Sequence, residues 1–284
     1  MKKLKMVIPK GRMYPNVSKL LNDSGIPLRV NDRHYIPKIG DPDIEAKILK
    51  PQNIAQVIEL GSHDIGFVGY DWVKETGAQV SEIMDLKLDR VKVVAAVSSQ
   101  VNESDFNRKK FTVATEYENI SRKFLNKNHY DYRLIRTYGA TEAFPPQDAD
   151  MIIDNSASGQ TLKEHNLKVM AHLLDSSTRF IANKDTLKVR WKREKIEELK
   201  MLFESVLNAR GRVMLEMNVP SEKLEEVVGR LPCMRAPTVS PLYKEMGYAV
   251  KVAVKKQDTI RLIPLLKKIG ATDVLEYELK KVII

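Results

Sequence analysis

The chain has 284 residues, enough for two or three domains of ordinary size, and its 43% hydrophobic content suits a protein with real cores. The 47 basic against 37 acidic side chains leave a formal charge of +10, which fits a lysine-rich solvated surface or a highly phosphorylated substrate; no basic stripe interleaved with aromatic residues marks a nucleic-acid face. No run nears the roughly 20 apolar residues that span a bilayer, so a cytoplasmic protein with no membrane partner is expected; the lone Cys233 excludes an intrachain disulfide, and the scattered histidines lack metal-ligand spacing.

Lys5 to Ile8 reads as a strand, and Pro9-Lys10-Gly11-Arg12 follows at its end, before an amphipathic helix carrying Val17, Leu20 and Leu21 that closes at Gly25. Two cations and a glycine at the carboxyl end of a strand make an anion site, although Lys10 and Arg12 suit plain surface charges equally well. Arg33 and Tyr35 lie in the next connection. Ile44 to Leu49 is a strand, and Pro51 opens a helix whose Ile54, Val57, Ile58 and Leu60 share one face up to Gly61. In the strand that follows Ser62, glycine marks close backbone approach, and Asp71 beyond it reads at minimum as the N-cap of a helix starting at Trp72, with substrate contact in addition.

Lys92 to Val97 is a β-branched, buried strand that carries the chain into a second lobe. There Phe111 to Ala114 forms a strand, Thr115-Glu116-Tyr117-Glu118-Asn119 leads into a helix over Ile120 to Asn126, and the strand Arg133 to Arg136 ends in Tyr138-Gly139-Ala140-Thr141-Glu142. The stretch from Asp150 to Leu162 organises the whole: an apolar Met151-Ile152-Ile153 ends in Asp154, small and hydroxylated residues follow, and Leu162-Lys163-Glu164 continues as helix. A loop without bulky side chains lets backbone N–H groups converge on a phosphate, with Ser156, Ser158 and Thr161 as extra donors. Asp154 then accepts from sugar hydroxyls or holds a hydrated Mg²⁺; an ordinary strand-to-helix turn is the simpler reading of the same residues.

Strands alternating with helices argue for parallel sheets covered on both faces, with ligands beyond the carboxyl ends of the strands. Lys10 to Arg12, Asp71, Glu116 and Tyr117, Glu142 and the Asp154 loop all hold such positions. Arg179 to Ala182 is again a strand, and a long helix from Asp185 to Arg210 buries Ile196, Leu199, Leu202, Phe203, Val206 and Leu207 and is expected to return to the first lobe. After Gly211 the order becomes βαββαβ, the ferredoxin-like unit. The fold class is therefore α/β: a two-lobed region of the periplasmic-binding-protein kind, with lobe I over 1–90 completed by 180–210 and lobe II over 91–179, then a ferredoxin-like domain over 211–284.

Six stretches in order, Ile8 to Arg12, Asp64 to Asp71, Ala114 to Asn119, Gly139 to Glu142, Asp154 to Leu162 with Asn166-Leu167, and Arg235 to Leu242, carry a resemblance that runs almost end to end. The chain resembles the ATP phosphoribosyltransferase family in its long form with a C-terminal regulatory domain. It departs from the family pattern Asp-Leu-Val-x-Thr-Gly-x-Thr-Leu at Asn155 and Ser156, which replace an apolar pair, and at Ser158, which keeps the hydroxyl of threonine.

The resemblance implies condensation of ATP with phosphoribosyl pyrophosphate to phosphoribosyl-ATP and pyrophosphate, the first step of histidine biosynthesis, by attack of adenine N1 on the anomeric carbon. It implies that Asp154, Asn155, Ser156, Ala157, Ser158, Gly159, Gln160 and Thr161 hold phosphoribosyl pyrophosphate, and that Lys10, Gly11, Arg12, Asp71, Glu116 and Tyr117 hold the nucleotide. Asp154, Lys10 and Glu142 are the catalytic candidates, and Mg²⁺ is the expected cofactor without assigned ligands. Histidine as feedback inhibitor, with Asn218, Thr238 and Ser240 as contacts, and a homo-oligomer exchanging between dimer and hexamer complete the expectation. The alternative is a two-lobed small-molecule-binding or regulatory protein without catalysis, which predicts a secretion signal, a helix-turn-helix or a decayed phosphate loop.

Overall fold

The computed structural model describes residues 2–29, 35–101, 106, 110–234 and 236–284; Arg33 and Arg235 lie outside them. The chain divides into two compact units, 1–196 and 197–284.

In chain order the first unit contains β1 (Leu4–Pro9), α1 (Tyr14–Asp23), the short pair β2 (Leu28–Arg29) and β3 (Lys38–Ile39), β4 (Ile44–Leu49), α2 (Pro51–Glu59), β5 (Ile65–Gly69), α3 (Tyr70–Thr76) and β6 (Ser81–Asp85). It continues through β7 (Val91–Ser98), β8 (Phe111–Thr115), α4 (Glu118–Lys127), β9 (Tyr132–Arg136), β10 (Met151–Ser156), α5 (Gln160–Glu164), β11 (Leu167–Ser176), β12 (Thr178–Ala182) and the start of α6 (Arg190–Arg210). Two five-stranded sheets result, ordered β4-β1-β5-β12-β6 and β11-β7-β10-β8-β9. The chain passes between them twice, from β6 to β7 and from β11 to β12.

The sheets are mixed, which corrects the expectation of parallel ones: β1 pairs in parallel with β4 and β5, whereas β12 runs antiparallel to β5 and β6. In the second sheet β10 is parallel to β8 but antiparallel to β7, and β11 is antiparallel to β7. Sequence reasoning missed β6 and β11. In β11, register shifts at Val169/Ala171 and His172/Leu174 interrupt the alternation that would reveal a strand. The central strands read correctly because burial on both faces makes them apolar runs: all five residues of β5 are buried. Gly66 shows the close approach foreseen for it, since a Cβ there would stand 3.2 Å from both Ile54 and the Val7 carbonyl.

Helix α3 of the first lobe docks on the start of α4 in the second. The Glu75 carboxylate accepts from the backbone N–H groups of Asn119 and Ile120, each at 2.9 Å, and Asn119 Nδ2 donates to the Glu75 carbonyl at 2.8 Å. An acid from one lobe thus satisfies orphan donors at a helix N-terminus of the other. Trp72 packs on Tyr117 with ring centroids 4.7 Å apart.

The second unit contains the remainder of α6, β13 (Arg212–Val219), α7 (Leu224–Val228), β14 (Thr238–Pro241), β15 (Tyr248–Lys255), α8 (Thr259–Ile269) and β16 (Thr272–Glu278). Its sheet is ordered β14-β15-β13-β16 with antiparallel pairs throughout, the ferredoxin-like arrangement. Val213, Leu215, Met217 and Val219 alternate inward and pack with Val227, Leu262 and Leu266 from the helices. The division between units falls inside α6, after Ile196. Only the first turns of α6 belong with the first lobe, where Lys192 and Lys195 pair with Asp64 and Asp41 at 2.6 and 2.8 Å.

Candidate active site

The floor of the cleft is the end of β10. Thr115 Oγ1 donates to the Ile153 carbonyl at 2.6 Å and accepts from the Tyr117 N–H at 2.8 Å, so one hydroxyl sets the ends of β8 and β10 together. Asp154 follows, bonded by its own loop through the Asn155 N–H at 2.7 Å. Its carboxyl is raised to about 6 in all: burial pushes it up most, hydrogen bonds from the Asn155 N–H and the Thr141 hydroxyl pull the other way, and the negative charges of Glu116 and Glu142 add to the rise. Thr141 is fully buried and held by Thr137, hydroxyl to hydroxyl, at 2.8 Å. The turn over Thr141–Ala143 that presents Glu142 follows Ala140, which sits in the left-handed region at φ 48°.

The loop beyond Asp154 keeps its own shape. Ser156 Oγ accepts from the Gly159 N–H at 3.1 Å, Ser158 Oγ accepts from the Gln160 N–H at 3.3 Å, and Gly159 adopts φ +76° with nothing within 4 Å of where its Cβ would stand. A cavity of about 210 Å³ opens here, lined by Glu142, Asp154, Asn155, Ser156, Ala157, Ser158, Gly159, Thr161 and, from the other lobe, Arg12. The loop therefore faces the interlobe cleft and is not filled by neighbouring side chains. Gln160 does not line the cavity: it is exposed, and its amide bonds Glu164 at 2.9 Å.

A second cavity, about 140 Å³, is lined by Lys10, Arg12, Gln52, Asp71, Trp72, Glu116, Tyr117, Asn155 and Ser176, among others. Arg12 and Asn155 line both. Gly11 lines neither; at φ +77° it gives the backbone the left-handed turn that sets Lys10 and Arg12 on either side.

Asp71 is not the N-cap of its helix: Gly69 holds that position and Asp71 lies in the first turn. Its carboxylate accepts from Tyr117 Oη and Ser176 Oγ, each at 2.6 Å, while its own N–H donates to Ser176 Oγ at 3.0 Å. Gly69 is required for this, because a Cβ there would come within 2.1 Å of Asp71 Oδ1. Tyr117 is fully buried, and its hydroxyl also accepts from Asn155 Nδ2 at 3.0 Å. Burial, then the charge of Asp71, holds that phenol well above its usual range. Asn155, a departure from the family pattern, sits on an exposed position where a polar side chain has a partner.

A third cavity, about 410 Å³, lies at the strand crossings between Lys87, Arg90, Lys92, Arg179, Asp85, Asp175 and Ala157. It sets four cations beside the loop that follows Asp154.

Sequence reasoning missed Gln52, Trp72, Ser176 and Thr141. Gln52 follows the end of β4 just as Lys10 follows β1, so the same positional rule could have found it; Ser176 ends a strand that was itself unforeseen. Among the described residues no three His, Cys, Asp or Glu side chains stand where they could hold a metal ion together, and no helix is long and apolar enough to cross a membrane. In the second unit Asn218 and Ser240 both stand opposite Ala249, and Thr238 stands opposite Lys251, so the three share the sheet face that points away from the helices. Asn218 Nδ2 donates to Asp273 at 2.9 Å.

The family model described as ATP phosphoribosyltransferase matches residues 50–205, and that described as HisG, C-terminal domain, matches residues 209–281. An ATP phosphoribosyltransferase of Chlorobium phaeovibrioides is 37% identical over 288 residues, covering 99% of this chain and 97% of that protein. One of Pelotomaculum thermopropionicum is 37% identical over 289 residues, covering 99% of each. Among solved structures, the ATP phosphoribosyl transferase (HisG:HisZ) complex from Thermotoga maritima is similar in fold, with a TM-score of 0.63 and 22% identity over 71% of this chain and 98% of that one.

Proposed function

The chain belongs to the ATP phosphoribosyltransferase family and joins ATP to phosphoribosyl pyrophosphate at the start of histidine biosynthesis, and on that premise we propose how its side chains divide the work. The loop from Asn155 to Thr161 takes the 5-phosphate through backbone N–H groups and hydroxyls, with Gln160 contributing its backbone alone. Asp154 accepts from the ribose hydroxyls, and Glu142 adds a second negative charge. Lys10 and Arg12, set apart by the turn at Gly11, meet the pyrophosphate or the ATP phosphates, and the cations at the strand crossings draw both anionic substrates in. Glu116 faces the base, while Asp71 and Tyr117 fix the wall against which it lies.

The observation that carries this reading is the cavity in which Asp154 and Glu142 stand beside an open small-residue loop; burial and the charges of Glu116 and Glu142 also hold the Asp154 carboxyl above its usual range. Its charge is poorly stabilised until a positive centre develops nearby. An oxocarbenium-like sugar is such a centre, so the interaction is stronger in the transition state than in the ground state. The attacking group is a lone pair of the substrate itself, and the chain need supply no nucleophile.

Mg²⁺ fits this donor set as a substrate-borne ion, since it usually takes one or two carboxylates with substrate phosphates and keeps its waters. Glu142 would hold it together with the substrate phosphates; when bound it neutralises charge on the departing pyrophosphate. Incubation with ATP, phosphoribosyl pyrophosphate and Mg²⁺ should yield phosphoribosyl-ATP, with Asp154→Ala nearly inactive and Lys10→Ala weakened. Turnover of Asp154→Ala at the parent rate would rule out its role.

The ferredoxin-like unit is the regulatory part, taking histidine on the open sheet face at Asn218, Thr238 and Ser240, in a homo-oligomer that exchanges between dimer and hexamer. The row formed by Asn218, Ala249 and Ser240 supports this. Histidine should slow the chain, and Asn218→Ala should raise the histidine concentration required by about tenfold, as loss of one hydrogen bond predicts; an unchanged inhibition curve counts against the site.

A further inference from the structure

Gln52 is a group in the cleft that the assignments above leave unused. It stands in the first turn of α2 and lines the cavity that also holds Glu116, Trp72 and Asp71. Its Nε2 donates to Glu116 Oε2 at 3.3 Å, across from one lobe to the other. Its Oε1 is buried and has no hydrogen-bond partner. A buried acceptor without a donor from the protein is unfavourable, and one on a residue that lines a cavity is satisfied by a donor that enters the cavity, a water or a ligand.

We propose that Gln52, held by Glu116, reads the 6-amino group of the ATP base and so selects adenine over 6-oxopurines. The proposal rests on this cavity being the nucleotide side of the cleft. Gln52 Oε1 and the Glu116 carboxylate are two acceptors side by side, and an exocyclic amino group offers two N–H donors from one nitrogen. A 6-oxopurine turns an acceptor toward both, and its N1 already carries hydrogen, so it is repelled and lacks the free lone pair. The adenine amino group is also adjacent to N1. As N1 bonds to the anomeric carbon and the bond to pyrophosphate breaks, the ring takes up positive charge that spreads onto the amino nitrogen, directly beside Glu116. One contact thereby discriminates among bases and strengthens during the reaction.

The test compares ATP, purine riboside triphosphate, ITP and 2′-deoxy-ATP as substrates of the parent and of Gln52→Met. The variant should lower kcat/KM for ATP by about 10- to 100-fold and reduce the preference for ATP over purine riboside triphosphate by the same factor. KM for phosphoribosyl pyrophosphate and the preference for ATP over 2′-deoxy-ATP should stay as they are. Each preference is a ratio within one preparation, so partial misfolding leaves it unmoved. Equal losses with every nucleotide, a changed 2′-preference instead, or parent-like kinetics would overturn the proposal. A Trp191→Phe background isolates Trp72 as the reporter. If ATP leaves its fluorescence unchanged, the nucleotide reading of the cavity fails, and Gln52 with it; if ATP changes it but base preference survives Gln52→Met, only the role of Gln52 fails.

Discussion

Asp71 and Asp154 both stand at the carboxyl end of a central strand, just beyond β5 in one lobe and in the second half of β10 in the other, and both belong to walls of one cleft. The first is 5% exposed and spends its carboxylate on Tyr117 and Ser176. The second has the N–H and amide of its own neighbour and the Thr141 hydroxyl for company, with two further acids nearby, and its carboxyl is displaced upward to about 6. A third acid, Asp64 at the opposite end of β5, is raised by burial, but hydrogen bonds from Lys192, the Lys5 N–H and Thr186 outweigh this and leave it below its ordinary value. Burial raises both Asp154 and Asp64. What separates a structural acid from a poised one is the supply of donors, and the donors come from chain segments distant in sequence.

The largest expected effect follows from removing the poised charge. Asp154→Asn should lower kcat by about 10²- to 10³-fold, the scale of losing a transition-state electrostatic partner, while raising the melting temperature. Between its ordinary value of 3.8 and about 6 the folded state keeps a proton that the unfolded chain gives up. The stability contributed by Asp154 is thus greatest below the lower value and is lost as pH rises through the upper one. Above it the charged form costs about 1–3 kcal/mol once partial exposure is allowed for. Thermal melts of parent and variant should therefore draw apart as pH rises from about 4 to about 6 and stay apart above it, and the parent's kcat/KM should rise through about pH 6. Identical melts at all pH values would remove the distinction between the two acids.

A smaller and opposite effect is expected at the structural acid. Asp71→Ala strands two buried hydroxyls, those of Tyr117 and Ser176, and should cost about 2–4 kcal/mol of stability. Because the wall of the nucleotide cavity would loosen, KM for ATP should rise several-fold, with kcat reduced by less than about tenfold. Stability equal to the parent's in denaturant melts, or a collapse of kcat matching that of Asp154→Asn, would erase the comparison from the other side.

Local pattern was enough for elements buried on both faces or regularly amphipathic. Ile44–Leu49 alternates and is a strand as read, and the βαββαβ order after Gly211 needed only spacing and turns. The Asp154 loop was visible because small residues after an apolar run are a local feature. The edge strands β6 and β11 were not visible, because one is short and polar and the other is interrupted by bulges. Nor was the mixed direction of the sheets, which depends on β10 lying between β7 and β8 and β12 between β5 and β6, each placed between strands that precede it in the chain.

By itself the sequence determined the family, the strand-end positions of Lys10, Glu142 and Asp154, and the character of the phosphate loop, since each is written within a dozen consecutive residues. Only the tertiary structure decided that Asp71 closes on Tyr117 and Ser176, that Gln160 faces away, and that Gln52 reaches Glu116 with its oxygen unpaired. The contacts of Asp71 and Gln52 depend on hydrogen bonds between residues 46, 64 or 105 positions apart, whereas Gln160 is turned aside by a local bond to Glu164. No local periodicity encodes such pairings, because they arise when two lobes built from interleaved chain segments meet.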